Sequence, residues 1–208
     1  MRPPVFEYHR RLLSAVLVAL LLGCGRKSGD GGGGGVVTPP PPPTPTFRCT
    51  DSLVMVNKVA LKCGAPLPGN VWQIDVVIGT PTTSTDIGGF AFDLLFDPTI
   101  LEYVPDSARA GAMLYQDADT PLLIARISDP GRLVVGINRT SGAAGVQGIP
   151  GYDLIMSFSM KAVPGAEFDA DPRHLAFDMN RFQALDSSAQ AQPIPSITFS
   201  DQLLLSVQ

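Results

Sequence analysis

The chain has 208 residues, of which 45% are hydrophobic and 16% are charged, and its formal net charge is −4 at pH 7. The 15 basic residues form no stripe that would follow a phosphate backbone, so the charge pattern argues against nucleic acid as the partner. With two histidines and three cysteines, the chain is also poor in the residues that zinc sites and hydrolytic triads need.

The first 23 residues have the pattern of an export signal. Arg10 and Arg11 precede an apolar run at residues 12–22, which ends at a small residue, Gly23. This order is typical of a signal peptide, whereas a membrane span needs about 20 apolar residues. We therefore expect residues 1–23 to be a signal peptide that is removed on export.

Cys24 follows this signal directly. The tetrapeptide Leu-Leu-Gly-Cys at residues 21–24 resembles the lipobox of bacterial lipoproteins. In that family the cysteine thiol receives diacylglycerol, the signal is cut before it, and the new amino terminus is usually acylated. The resemblance implies that Cys24 anchors the protein in the cell envelope, at the outer membrane or cell surface. The alternative is an ordinary secreted protein cut near Gly23, in which Cys24 stays a free thiol.

Cys49 and Cys63 remain as an even pair once Cys24 is assigned to the anchor. Disulfides persist in exported proteins, so the pattern predicts a bridge between Cys49 and Cys63. Such a bridge closes a loop of about 15 residues and contributes about 3 kcal/mol in the chain-entropy model. A zinc site is less favoured, because two cysteines at this spacing lack further ligands.

Residues 24–47 contain the lipidated cysteine and a Gly/Pro-rich linker that is expected to be disordered. Five consecutive glycines at residues 31–35 resist ordering, and five prolines at residues 39–43 favour extended polyproline II. The fully extended reach is on the order of 60–70 Å at about 3 Å per residue. We interpret the segment as a stalk; a passive linker and a proline-recognition ligand are the alternatives.

Residues 48–208 are long enough for one domain with its own core. Apolar residues alternate with polar or small ones along several segments, which predicts antiparallel strands with one buried face. Two sheets packed face to face bury such strands best, so we expect an all-β sandwich. The residues expected inside it are Trp72, Ile74, Val76, Ile78, Phe90, Phe92, Leu94, Phe96, Leu133, Val135, Ile137, Leu154, Met156, Phe158, Met160, Leu175, Phe177, Met179, Ile197 and Phe199, with Leu203 and Leu205 closing the sheet near the carboxyl end.

Three segments between these strands receive a different prediction. Asp97 and Pro98 favour a turn or a helix start, and residues 99–103 are expected to form one short turn that plugs an end of the sandwich. The stretch 107–120 is expected to be a loop. The Gly- and Ala-rich stretch 141–151 predicts a loop that is mobile or that approaches another backbone closely.

The sequence Ile-Gly-Gly-Phe-Ala-Phe-Asp-Leu-Leu-Phe-Asp-Pro-Thr-Ile-Leu-Glu-Tyr-Val at residues 87–104 resembles the signature of cohesin domains. In that family an aromatic-rich strand leads into an Asp-containing turn and then a Leu-Glu-aromatic-Val segment. Residues 131–137 resemble the family's middle strand, and the loop 142–151 and the strand 154–160 follow in the family's order. The resemblance implies a nine-stranded antiparallel β-sandwich of jelly-roll topology.

Cohesins bind dockerins, which are small calcium-loaded helical modules, through one exposed sheet face. The resemblance places that face on the strands at residues 90–96 and 132–138. By strand alternation, its outward side chains are those of Ala91, Asp93, Leu95, Val134, Gly136 and Asn138. The implied function is a noncatalytic, lipid-anchored module that docks a protein partner of the dockerin kind at the cell envelope.

Two other functions stay open. The same superfamily contains carbohydrate-binding modules, which stack exposed coplanar aromatics on the sugar rings of polysaccharides, and Tyr115 and Tyr152 are the candidates here. The third function is a structural subunit of an envelope or secretion assembly.

An enzyme is not expected, and neither is a cofactor. His174 is the only histidine after the signal, and Ser157 and Ser159 lack the pattern of a nucleophile elbow. The paired carboxylates at Asp117 with Asp119, and at Asp169 with Asp171, are expected to be solvated or to be weak ligands of a structural calcium ion. They are less typical of a glycosidase pair.

Overall fold

The computed structural model describes residues 47–50, 53–140, 142–166, 175–200 and 204–207, and side chains for the three longer ranges. All of them belong to one compact unit that spans residues 42–208. The predicted signal peptide, Cys24 and nearly all of the linker lie outside the described residues, as do Asp169, Asp171, His174 and Leu203.

The described residues are mostly strands. No helix among them is long and apolar enough to cross a membrane. The elements are β1 (Phe47–Thr50), β2 (Lys58–Leu67), β3 (Val71–Thr80), β4 (Ile87–Phe96), β5 (Leu101–Tyr103), β6 (Arg109–Ala110), the 3₁₀ helix η1 (Ala112–Ala118), β7 (Leu122–Asp129), β8 (Arg132–Asn138), β9 (Gly151–Ala162), β10 (Leu175–Asp186), β11 (Thr198–Phe199) and β12 (Leu204–Val207).

Ten of these strands make two facing sheets. One sheet has the order β10-β4-β8-β7, and the other has the order β11-β2-β3-β9-β5, with the short β6 also paired to β9. The expected all-β sandwich is confirmed. One detail differs from the expected all-antiparallel pairing, since β11 runs parallel to β2. The terminal strands β1 and β12 add a separate antiparallel pair.

The inward faces of both sheets form a single hydrophobic core. Phe92 of β4 is 2% exposed, and its ring centroid lies 5.3 Å from that of Phe177 on β10 and 5.9 Å from that of Phe199 on β11. Aromatic rings at such distances and tilts pack favourably. The inward faces predicted for β4 and β8 are confirmed, apart from Phe96, which is half-buried at the strand end.

Two predicted faces are wrong at one position each, because the strands contain bulges. In β9, Ile155 is an extra residue between Leu154 and Met156, so Ile155 is fully buried and Leu154 is only half-buried. In β10 the pairing with β4 breaks between Phe177 and Phe182, and Met179 is 47% exposed. A bulge changes which residues face inward without changing the apolar content of the strand.

The turn after β4 buries the residues that were expected to plug the sandwich. Asp97 accepts a hydrogen bond from the Thr99 backbone N–H at 2.8 Å, and its own carbonyl accepts the N–H of Leu101 at 2.9 Å. Leu101 and Tyr103 are buried, but they lie on β5, which pairs with β9. The plug is therefore part of the larger sheet.

The stretch that was expected to be a loop, residues 107–120, contains β6 and η1. The Gly-rich loop after β8 follows the second of its two expectations, close approach to a backbone. Val146 exchanges two backbone hydrogen bonds of 2.9 Å with Ile87, and a Cβ atom at Gly145 would lie 2.4 Å from the backbone of Asp86.

Candidate partner-binding face

The structure brings the six residues predicted for the binding face together on the solvent side of the β10-β4-β8-β7 sheet. Across β4 and β8, Ala91 pairs with Gly136 and Asp93 pairs with Val134. The strand β7 extends both rows, because Ile124 lies opposite Gly136 and Arg126 lies opposite Val134. We call this surface the outer face; it consists of the outward residues Ala91, Asp93, Leu95, Leu122, Ile124, Arg126, Arg132, Val134, Gly136 and Asn138 and the bulge at residues 178–181.

The outer face is apolar along β7 and at one end of β4. Leu122 is 63% exposed, Ile124 is 52% exposed and Leu95 is 38% exposed. Between them no side chain covers the backbone at Gly136, because a Cβ atom built there would meet no atom within 4 Å. Several large apolar side chains exposed on one face of a sheet indicate an interaction site more than a single exposed one does.

The sequence did not reveal β7. Its first residues, Leu-Leu-Ile-Ala, are apolar on both faces, so the period-2 alternation that identifies a half-buried strand is absent there. The structure separates the faces, because Leu123 and Ala125 pack against the core while Leu122 and Ile124 are exposed. The remaining signal was length, since a run of this size between Pro121 and Pro130 fits a strand.

An ion-pair cluster lies at the centre of the outer face. Nη1 of Arg132 lies 2.6 Å from Oδ2 of Asp93 and 2.8 Å from Oδ2 of Asp178, and Nη1 of Arg181 lies 3.6 Å from Oδ2 of Asp93. The side chains of Asp93 and Asp178 are only 8% and 10% exposed, whereas that of Arg181 is 68% exposed. Asp93 thus faces outward as predicted, but the neighbouring guanidinium groups and the bulge cover it.

The bulge in β10 creates this cluster. It turns Asp178 onto the outer face, where Oδ1 accepts the backbone N–H of Asn180 at 3.0 Å. That hydrogen bond, followed by the one from Arg132, lowers the pKa of Asp178 below its ordinary value. The two carboxylates in turn raise the pKa of the Arg132 guanidinium, with Asp178 contributing most. Beside the cluster lies a groove of about 300 Å³, lined by Ala91, Asp93, Val134, Asn180, Arg181 and Gln183.

The carboxylates of Asp117 and Asp119 belong to a different structural cluster. Each has an oxygen 3.5 Å from a nitrogen of Arg139, whose side chain is only 2% exposed. Arg139 also donates to the carbonyl of Gln116 at 2.8 Å, so it joins η1 to the end of β8. Hydrogen bonding by the Thr140 hydroxyl is the main cause that lowers the pKa of Asp119. Asp117 and Asp119 thus help to fix η1 to Arg139 at the end of β8.

Within the described ranges, no group of three or more His, Cys, Asp or Glu side chains is placed to hold a metal ion. Ser157 and Ser159 lie on β9, and the Ser159 backbone N–H donates to Oγ of Ser107 at 2.9 Å. His174 lies outside the described residues, so the structure places no histidine next to these serines among the residues it describes.

The two aromatic candidates for sugar stacking lie on separate elements. Tyr115 is on η1 and is 47% exposed, and Tyr152 is on β9 and is 53% exposed. The Nζ atom of Lys62 lies 5.3 Å from the centroid of the Tyr152 ring, which places a cation over that ring. Neither tyrosine belongs to the outer face.

The predicted disulfide is only half covered by the described side chains. Cys63 lies on β2 and is half-buried, and Cys49 lies on β1, which runs beside β2. The side chain of Cys49 lies outside the described ones. The bridge stays a prediction.

No protein-family model matches the chain, and no curated protein is significantly similar to it. Solved structures are similar in fold. CaCohA2, from Clostridium acetobutylicum and crystallised in complex with CaDoc0917, has a TM-score of 0.51 at 16% identity, over 70% of this chain and 96% of that chain. The type II cohesin A11 from Bacteroides cellulosolvens has a TM-score of 0.50 at 14% identity, over 71% of this chain and 98% of that one. The type II cohesin dyad from the ScaA scaffoldin of Acetivibrio cellulolyticus has a TM-score of 0.50 at 16% identity, over 71% of this chain and 47% of that one. The described part of this chain therefore has the fold of a cohesin domain.

Proposed function

We propose that the chain is a noncatalytic docking module whose outer face binds a helical protein of the dockerin kind. The observation that carries the proposal is the uncovered apolar surface of the four-stranded sheet, with Leu95, Leu122 and Ile124 exposed on a cohesin fold. The complex in which CaCohA2 was solved supports a protein ligand for this fold. Exposed apolar residues on a sheet gain free energy when a partner removes them from water, by about 25 cal/mol per Å².

The shape of the outer face suits a helix. Neighbouring strands are about 4.8 Å apart, and a helix with its side chains is about 10 Å wide, so one helix covers two to three strands. The middle rows carry small side chains at Ala91, Val134 and Gly136, which allow a close approach. The larger residues Leu95, Leu122 and Ile124 lie around them and supply contact area.

A protein ligand is favoured over a polysaccharide by the placement of aromatic rings. Sugar stacking needs coplanar exposed rings, and Tyr115 and Tyr152 lie on η1 and β9. The nearly buried carboxylates of Asp93, Asp178 and Asp119 lie beside arginines. That of Asp153 accepts the backbone N–H of Ile149 at 2.8 Å, and this engagement of the buried carboxylates supports a noncatalytic role. A structural subunit of an envelope assembly would use the same outer face for a partner of another class.

The location that we propose is the bacterial cell envelope, with Cys24 as the lipid anchor and the Gly/Pro-rich linker as the stalk. This part rests on the sequence pattern around Cys24 and on the composition of residues 24–47. An anchored stalk keeps a docking face accessible to a partner outside the membrane surface.

The experiment measures binding of the full-length protein in detergent to a panel of calcium-loaded dockerin modules, and to cellulose and chitin. Leu95→Asp and Val134→Asp each introduce a charge into the outer face. Leu67→Asp is the matched control, because Leu67 is 41% exposed, close to the 38% of Leu95, and lies on β2 of the other sheet. An unpaired charge in a desolvated interface costs about 2–5 kcal/mol, so affinity for a dockerin should fall by more than tenfold in both variants.

The melting temperatures of Leu95→Asp and Leu67→Asp should stay near that of the wild type, because neither residue is in the core. Val134 lies opposite both Asp93 and Arg126, so for Val134→Asp the loss of affinity is measured at a temperature at which thermal unfolding shows the domain to be folded. Tight polysaccharide binding that survives Leu95→Asp and Val134→Asp would assign the protein to the carbohydrate-binding class instead. Binding to no dockerin in the panel, combined with capture of an envelope protein through the outer face, would favour the structural-subunit function.

A further inference from the structure

The charges of the outer face are sorted by depth. The carboxylates of Asp93 and Asp178 are nearly buried, and Arg132 between them is 24% exposed. Arg181 is 68% exposed and Arg126 is exposed on β7. The carboxylates of this cluster are thus paired with arginine and lie below the surface of the sheet. The charges of the cluster and its neighbour on β7 that a partner meets first are the guanidinium groups of Arg181 and Arg126.

Arg126 and Arg181 lie on opposite sides of the small residues at the centre of the face. Val134 has Arg126 opposite it on β7 and Asp93 opposite it on β4, and Nη1 of Arg181 is 3.6 Å from Oδ2 of Asp93. The groove of about 300 Å³ lies against Arg181 and is floored by Ala91 and Val134. It offers space for a side chain that enters between the two cations.

The positive surface is a local feature, since the whole chain has a net charge of −4. On this side of the sheet the guanidiniums of Arg126, Arg132 and Arg181 stand against three carboxylates, of which those of Asp93 and Asp178 are nearly buried. Asp129 is the exposed carboxylate at the β7–β8 turn, opposite Arg132 in the ladder. It confines the positive surface to the rows that contain Arg126 and Arg181.

We infer that the partner of the outer face presents a helix of small and apolar residues with one or more carboxylates at its centre, which Arg126 and Arg181 bind. This inference rests on the proposed docking function and specifies its partner. A guanidinium binds a carboxylate through two parallel hydrogen bonds, which fixes the orientation of the partner as well as adding affinity. Asp93 positions Arg181, and Arg132 keeps Asp93 and Asp178 from repelling the incoming carboxylate.

The first test uses a probe that is independent of dockerins. A displayed library of a three-helix scaffold, randomised on one helix face, is selected against the full-length protein and counter-selected against Gly136→Trp, a variant that obstructs the centre of the outer face without changing its charge. The recovered binders should contain more Asp and Glu than Lys and Arg at the randomised positions, relative to the unselected library. Recovered binders that lack this acidic bias would overturn the inference.

The second test reverses the two charges. Binders from the library, and any dockerin that binds the wild type, should lose about tenfold or more in affinity for the Arg126→Glu/Arg181→Glu protein. The control Arg109→Glu changes an exposed arginine on β6 in the other sheet and should bind as the wild type does. Arg181→Gln removes the cation without placing a new carboxylate beside Asp93, so it should weaken binding even if the reversed variant is unstable.

The two proposals can fail separately. A dockerin that binds the wild type and the Arg126→Glu/Arg181→Glu protein equally well would overturn the acidic-partner inference and leave the docking function in place. Acidic library binders that respond to the reversals, together with a panel in which no dockerin binds, would support the inference and reject the dockerin class as the partner.

Discussion

Asp93 on β4 and Arg132 on β8 lie diagonally across adjacent strands, and Nη1 of Arg132 approaches Oδ2 of Asp93 to 2.6 Å. The same nitrogen lies 2.8 Å from Oδ2 of Asp178 on β10. One guanidinium therefore lies between two carboxylates, one on β4 and the other on the neighbouring strand β10. Without that cation, two nearly buried like charges would face each other.

The first prediction concerns this cluster. Arg132→Met should lower the melting temperature at pH 7 more than Arg126→Met does, because Arg126 is exposed and covers no buried carboxylate in the cluster. Adding Asp93→Asn to Arg132→Met should recover part of the loss, since one of the two opposed charges is then absent. Thermal unfolding of the three variants tests this, and equal losses for Arg132→Met and Arg126→Met would contradict it.

The second prediction concerns acid stability. The pKa values of Asp178, Asp119 and Asp186 are lowered, mainly by hydrogen bonds from the Asn180 backbone, the Thr140 hydroxyl and the Ser188 hydroxyl, respectively. A carboxyl whose pKa is lower in the folded state stabilises the fold above its unfolded pKa of about 3.9, and that stabilisation is lost as the pH falls through the folded value.

Stability should therefore decline as the pH falls below about 4. Urea unfolding across this range should show a shallower decline for Asp178→Asn than for the wild type, because that side chain no longer takes up a proton on unfolding. An Asp178→Asn curve parallel to the wild-type curve would show that the carboxyl does not contribute to the acid dependence.

The third prediction tests the bulge in β9. Ile155 is fully buried in the core, so Ile155→Ala should lower the free energy of unfolding by about 2–5 kcal/mol. Leu154 is half-buried outside that core cluster, so Leu154→Ala should cost clearly less. Urea unfolding of the two variants decides between the bulged register and a regular strand, for which the order of the two losses would be reversed.

The fourth prediction concerns the anchor. With a general export signal in place of residues 1–23, so that the signal is still cut, a Cys24→Ala protein should leave the membrane fraction, whereas the wild type with its own signal should stay in it. Stable anchoring by lipid takes at least two hydrophobic chains, which a fully acylated cysteine carries. Fractionation and mass spectrometry of the amino-terminal peptide provide the measurement. Retention of the signal-cleaved Cys24→Ala protein in membranes would show that another part of the chain holds it there.

The fifth prediction concerns the disulfide. Nonreduced peptide mapping of the exported protein should find Cys49 joined to Cys63. Reduction should destabilise the domain by up to about 3 kcal/mol in the chain-entropy model for a loop of about 15 residues. A Cys49→Ser/Cys63→Ser protein should match the reduced wild type. Free thiols at both positions in exported, unreduced protein would refute the bridge.

The sequence was most informative where alternation is strict. Phe90, Phe92 and Leu94 face inward on β4 as predicted, because polar or small residues separate them and the strand pairs on both sides without interruption from Gly89 to Phe92. It was least informative where the backbone departs from a regular strand. The bulges at Ile155 and at residues 178–181 depend on pairing with β3 and β4, which no local pattern records.

The outer face was likewise only partly predictable. Its position on β4 and β8 followed from alternation and the cohesin resemblance, but the ion pairs at its centre could not be predicted from either. Asp93 meets Arg132, 39 positions away, and Arg132 meets Asp178, 46 positions away. Contacts over such separations depend on the finished sheet, so a residue that alternation assigns to solvent became nearly buried.

The pairing of β1 with β12 has a practical consequence. Phe47 lies directly opposite Val207, so the first and last described residues are neighbours across one antiparallel ladder, about 5 Å apart. A short turn could join them in a circular permutant, with new ends opened at the exposed turn of residues 68–70 between β2 and β3. The stalk would then be joined at residues 68–70 instead of at Phe47, while the outer face stayed intact. Comparing such a permutant with the wild type would distinguish the effect of the module's orientation on a surface from the effect of its affinity for a partner.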